Sequence, residues 1–169
     1  MTTTETSVAT QVYRVYIKAT PQAIWDAITS PEWNGRYGYG SKGEYELRPG
    51  GGYRVLPSKA MKDYGSPDVI IDGEVVESDP PRKLVQTWRP LWDPAIVAEG
   101  AKQLTWEIVE GRDGVCTLTV THELANAPKT RTMVTGAMKE AGGGWPMILE
   151  DLKRLLETGA SAVTDQQKG

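Results

Sequence analysis

Residues 144–159 carry the chain's one long amphipathic stretch. Trp145, Ile148, Leu149, Leu152, Leu155 and Leu156 recur at the i, i+3, i+4, i+7 spacing of a helix with a single apolar face. Pro146 fits the first turn, Glu150 and Asp151 lie early, and Lys153 and Arg154 lie late, as the helix dipole favours. Gly159 terminates the run. Most of the chain ahead of it alternates with a period of two instead, the mark of half-buried strands. Such strands expose an apolar face to be covered, and this helix is the large apolar element available to cover it.

Tyr13, Val15 and Ile17 alternate with Arg14, Tyr16 and Lys18. Thr20-Pro21 and Ser30-Pro31 each set an N-cap residue before a proline, so two short helices follow the first strand. Tyr45 and Leu47, then Tyr53 and Val55, flank the turn Pro49-Gly50-Gly51-Gly52 and read as a hairpin. Further inward-facing sets are Val69, Ile71, Gly73 and Val75; Leu84, Gln86 and Trp88; Leu104, Trp106 and Ile108; and Cys116, Leu118, Val120 and His122. Residues 57–67 read as a polar loop, 90–101 as a long loop or short helix, and Thr130 to Ala141 as a weaker helical stretch set apart by Gly142-Gly143-Gly144. Residues 1–10 and 160–169 read as loose tails around a single domain at 11–159. The expected class is α+β: an antiparallel meander packed on one terminal helix. A strongly curved sheet and one helix cannot touch everywhere, and the gap between them would be a cavity for a small ligand.

Several function classes drop out. With 19 Lys+Arg against 22 Asp+Glu, the net charge of −3 gives no basic surface for nucleic acid. No apolar run is long enough to span a membrane, no secretory leader is visible at Met1 to Thr10, and a cytoplasmic location is expected. One Cys forms no internal disulfide and no Cys-based zinc site. Gly38, Gly40 and Gly43 match G-x-G-x-x-G, but a helix precedes and a strand follows, the reverse of a dinucleotide site. Cys116 and His122 on one continuous strand lie roughly 20 Å apart, too far for a nucleophile–base pair. Neither a metal nor an organic cofactor is expected.

What remains is a set of polar-tipped rings. The chain has 6 Trp, 7 Tyr and no Phe. A buried Tyr or Trp usually needs a hydrogen-bond partner, which suits the wall of a pocket for a partly polar guest. The candidate ligand-binding residues are Tyr13, Tyr45, Tyr53, Gln86, Trp88, Trp106 and His122. His122 is also the candidate for proton transfer, being the one side chain that titrates near neutrality when unperturbed. The alternative for His122 is a satisfied structural imidazole under the helix. For the rings, it is a core role with hydroxyls reaching water.

The segments "VYRVYIKATPQAIWDAITSPEWNGRY", "RPGGGYRV", "GEVVESDPPRKLVQTWR", "LTVTHEL" and "GGGWPMILEDLKRLLETG" resemble the SRPBCC (START/birch-pollen-allergen) superfamily, within it the branch named for the activator of heat-shock-protein ATPase. The resemblance implies a helix-grip fold, a seven-stranded antiparallel sheet wrapped around the C-terminal helix over a deep cavity. It also implies a lipid, sterol, polyketide or similar apolar ligand, and for some members cyclase or dehydratase chemistry. The chaperone activators carry an additional N-terminal domain, for which the ten leading residues are too few, so a chaperone is not the expected partner. The first expectation is therefore a carrier or sensor of a small hydrophobic or aromatic molecule. The second is a cyclase- or dehydratase-type enzyme using His122 or an inner Tyr. The third is a protein-interaction module, chaperone-directed or homodimeric.

Overall fold

The structure, a computed structural model, describes residues 10–135 and 144–161. In chain order it contains β1 (Thr10–Lys18), α1 (Pro21–Thr29), α2 (Pro31–Asn34), β2 (Lys42–Tyr45), β3 (Gly52–Leu56), α3 (Lys59–Asp63), β4 (Ile71–Asp79), β5 (Lys83–Pro90), α4 (Pro94–Val97), β6 (Lys102–Glu110), β7 (Val115–Glu123), α5 (Pro128–Val134) and α6 (Gly144–Thr158). The strands form one curved antiparallel sheet in the order β1-β7-β6-β5-β4-β3-β2, with β1 and β2 at its edges. Hairpins link neighbours from β2 to β7. The first strand crosses back to pair with the last, through Tyr13↔Val120 and Ile17↔Cys116. This is the helix-grip architecture.

Alternation decides which side chains go inside. Along β7, Cys116, Leu118, Val120 and His122 are buried, and on β6 Leu104, Trp106 and Ile108 share that face. The pairings Leu104↔His122, Trp106↔Val120 and Ile108↔Leu118 stack the two sets across the ladder. Helix α6 lowers Trp145, Leu149, Leu152 and Leu155 onto the sheet. It is tied to the end of β1 by Glu157, whose Oε2 accepts from the Lys18 backbone N–H at 2.8 Å, and by Lys153, which donates to the Tyr16 carbonyl at 2.6 Å. Both short helices after β1 start where the prolines place them, and Thr20 Oγ1 accepts from Ala23 N–H at 3.1 Å as the cap of α1.

Local geometry departs from the sequence pattern in four places. Leu47 is exposed, because β2 ends at Tyr45 and a tight turn follows in which Arg48 N–H bonds Glu46 O at 2.8 Å. Val69 does not begin a strand; the chain bends so that Ile70 is buried and donates to Val55 O at 2.9 Å, and β4 starts at Ile71. A bulge between Val75 and Glu77 then shifts the β4–β5 register. The 57–67 loop contains α3, capped by Ser58 Oγ on Met61 N–H at 3.3 Å. Gly73 is required where it stands, since a Cβ there would meet Thr87 O at 2.0 Å. The helix expected over Thr130 to Ala141 is present as α5; its expected continuation over 136–141, the Gly142-Gly143 break and most of both tails lie outside the described residues.

Candidate functional site

Helix α6 leans on β1, at one edge of the sheet, and so leaves the other end of the palm uncovered. A pocket of about 900 Å³ occupies that space. Its floor is built from Tyr45 of β2, Tyr53 and Val55 of β3, Ile71 of β4, Trp88 of β5 and Trp106 of β6. Trp145 and Ile148 of α6 roof it, with Met133 and Val134 of α5 beside them. Three rings that also line it, Tyr39, Tyr64 and Trp92, are solvent-exposed and so mark its mouth. Among the described residues, none of the lining side chains is Asp, Glu, Lys, Arg or His.

The mouth is held by polar ties between the α2–β2 connection and α6. Gly38, at φ +65°, donates its N–H to Asp151 Oδ2 at 2.8 Å, and the Tyr39 hydroxyl accepts from Gly144 N–H at 3.1 Å. Positive φ at Gly38 and Gly40 lets the chain turn from helix into strand here, the role in which the G-x-G-x-x-G match ends. On the far side, Glu99 holds the start of α5. Its carboxylate accepts from Lys129 N–H at 2.9 Å, Thr130 N–H at 2.9 Å and the Thr130 hydroxyl at 2.6 Å. Burial works against the Glu99 anion, but these hydrogen bonds outweigh it and hold the carboxyl below its usual pKa.

Of the seven residues expected at the site, Tyr45, Tyr53, Trp88 and Trp106 line the pocket. Gln86 is fully buried behind them and ties two rings together: its Oε1 accepts from Tyr45 Oη at 2.9 Å and from Trp106 Nε1 at 3.0 Å. Tyr13, half-buried on the edge strand, does not line the pocket, and among the described residues its hydroxyl has no hydrogen-bond partner. His122 is fully buried one layer deeper than the wall. Its Nδ1 accepts from Trp145 Nε1 at 3.0 Å, and its ring stands edge-to-face on Trp88 with centroids 5.0 Å apart. An indole N–H can only donate, so Nδ1 carries no proton and Nε2 does. Burial pushes the His122 pKa down to about 3, and among the described residues Nε2 has no hydrogen-bond partner. Cys116, at the other end of the same strand, donates to Ala19 O at 3.2 Å and takes no part.

Residues 18–157 match a family described as Activator of Hsp90 ATPase homolog 1-like protein. The chain belongs to that family. Solved structures similar to it include protein MLL2253 from Mesorhizobium loti, 23% identical with a TM-score of 0.66 over 88% of this chain and 96% of that one. CalU16 from Micromonospora echinospora is 19% identical, with a TM-score of 0.60 over 89% of this chain and 77% of that one. PFC0360w, an HSP90 activator from Plasmodium falciparum, is 20% identical, with a TM-score of 0.52 over 90% of each. No curated protein matches the chain by sequence. At these identities the likeness is one of fold, and the site in this family member has to be read from its own residues.

That reading adds residues the sequence pattern did not single out. Tyr37 and Tyr39 sit in a glycine-punctuated connection, and Tyr64 and Trp92 in loops, where no period marks a side chain as inward. Trp145 was visible as a core position of the helix, but not as the hydrogen-bond partner of the lone histidine. The available signal was chemical: a buried indole and a buried imidazole each need a partner.

Proposed function

We propose that this protein binds a small apolar, aromatic molecule in the pocket between the sheet and α6. The observation that carries the reading is the space itself. About 900 Å³ falls within the range of small-molecule sites, and its walls are almost wholly rings and aliphatic side chains. Removing a flat aromatic guest from water onto such walls is favourable in proportion to the apolar area covered. Ring-on-ring contacts add to that.

Binding is favoured over catalysis by the state of His122. Its Nδ1 lone pair is committed to Trp145, its Nε2 already carries the proton, and with a pKa of about 3 it stays neutral at physiological pH. A group so placed holds Trp145 in position and is poorly suited to take a proton from a guest.

The test is a screen of aromatic and lipid compounds by thermal shift, with tryptophan emission as the second readout. Trp88, Trp92, Trp106 and Trp145 line the pocket, so four of the 6 tryptophans would report occupancy. Aromatic compounds should raise the melting temperature and alter tryptophan emission together. Failure of every apolar compound to do either would refute the binding role.

A further inference from the structure

Resting on that binding role, the wall chemistry says what the guest carries. Four of the polar-tipped rings on the wall turn their donors into the protein. Tyr37 gives its hydroxyl proton to Ala27 O at 2.9 Å, and Tyr45 gives its own to Gln86 Oε1 at 2.9 Å. The indole N–H groups of Trp106 and Trp145 end on Gln86 Oε1 and His122 Nδ1, each at 3.0 Å. Asn34 is equally engaged: Nδ2 donates to Ile28 O and Gly43 O, and Oδ1 accepts from Gly43 N–H. The phenol oxygens of Tyr37 and Tyr45 therefore have no proton to offer; the Tyr53 hydroxyl hydrogen-bonds with that of Tyr45, which leaves the Tyr45 oxygen one lone pair.

Charge is missing too. Among the described residues the pocket wall contains no cationic side chain to serve an anion as counter-ion. The tyrosines do not change this. Burial pushes the Tyr37, Tyr45 and Tyr53 hydroxyls well above their usual pKa, and Tyr45 is raised further by its neighbour Tyr53. All three stay neutral phenols. A carboxylate entering this space would lose its water and, among the described residues, meet no cation on the wall. A neutral hydroxyl, by contrast, would meet the remaining lone pair of the Tyr45 oxygen.

We infer that the pocket selects an uncharged aromatic guest bearing a hydroxyl donor, and rejects the same ring system when it carries a carboxylate. Ionised fatty acids and other anionic amphiphiles are rejected on the same ground. The Tyr45 oxygen, on the floor of the pocket and fixed by Gln86, is the acceptor.

Three matched probes test it with the full chain at pH 7: 1-hydroxypyrene, 1-methoxypyrene and 1-pyrenecarboxylate, each titrated by calorimetry and by tryptophan-to-pyrene energy transfer. The hydroxyl compound should bind about fivefold more tightly than its methyl ether, the discrimination that one neutral hydrogen bond gives. The carboxylate should bind at least about tenfold more weakly than the hydroxyl compound. Tyr45→Phe should bring the first two within about twofold while leaving the rejection of the carboxylate intact. Trp106 still donates to Gln86 in that variant, and its fold is checked by circular dichroism. A carboxylate that binds as well as the hydroxyl compound, or wild-type protein that does not distinguish hydroxyl from ether, overturns the inference and leaves the binding role standing. Absence of binding by all three overturns both.

Discussion

Replacing His122 should remove a specific segment of the protein's acid sensitivity. In the folded state burial lowers the imidazole pKa from 6.5 to about 3, while in the unfolded chain it returns to its ordinary value. Between those values the unfolded state binds the proton and the folded state does not. Stability is therefore complete above about pH 6.5 and falls as pH drops toward 3, at up to about 1.4 kcal/mol per pH unit. From pH 7 to pH 5 the loss comes to about 2 kcal/mol for this one residue. That is a large share of a typical margin of about 5–15 kcal/mol. The chain has 1 His, and the carboxyls of Glu46, Glu99 and Glu157, held below their usual value, act at lower pH, so the variant isolates the share of His122. Urea unfolding at pH 7, 6 and 5 should show the loss in wild-type protein. His122→Gln, which keeps an acceptor for Trp145, should be nearly flat over the same range, whatever its stability at pH 7. A wild-type stability that does not change between pH 7 and pH 5, or a variant that falls just as steeply, would refute the reasoning.

Other outcomes follow from the packing. Leu152→Ala opens a cavity under the fully buried face of α6 and should cost about 2–5 kcal/mol in urea unfolding. Glu99→Ala removes the carboxylate that caps α5 and should cost about 1–2 kcal/mol, with exchange of the Lys129 and Thr130 amides speeding up before the sheet opens. Gly73→Ala forces a Cβ against the Thr87 carbonyl and should destabilise by about 3 kcal/mol, seen as a lowered urea midpoint; an unchanged midpoint would mean that β4 and β5 are not this close.

The fold was legible because its two periods are clean. β6 and β7 alternate without interruption, and α6 keeps its apolar stripe from Trp145 to Leu155, so a meander on one helix was nearly forced. The return of β1 to pair with β7 was not legible, since no local pattern encodes which distant strands pair; the family resemblance implied only a seven-stranded antiparallel sheet around the helix. Alternation failed where turns and bulges intervene. Ile70 replaces Val69 inside because a bend precedes β4, and Leu47 points out because β2 stops two residues earlier. The site was half legible for a related reason. Parity puts Trp88, Trp106 and Gln86 on the inner face, but it cannot tell pocket wall from the layer behind it. His122 and Gln86 both belong to that second layer, bonded to Trp145 and to Tyr45 and Trp106. Tyr37, Tyr39, Tyr64 and Trp92 come from aperiodic connections, where three-dimensional placement alone brings them to the pocket.

The measurement that bears most directly on the binding role is energy transfer from tryptophan to a guest ring. With 1-hydroxypyrene added to the full chain, tryptophan emission should fall and sensitised pyrene emission rise, saturating at one guest per chain, because four indoles line the proposed seat. Tryptophan emission that stays constant through the titration, or a pyrene signal that climbs without saturating, would contradict the account.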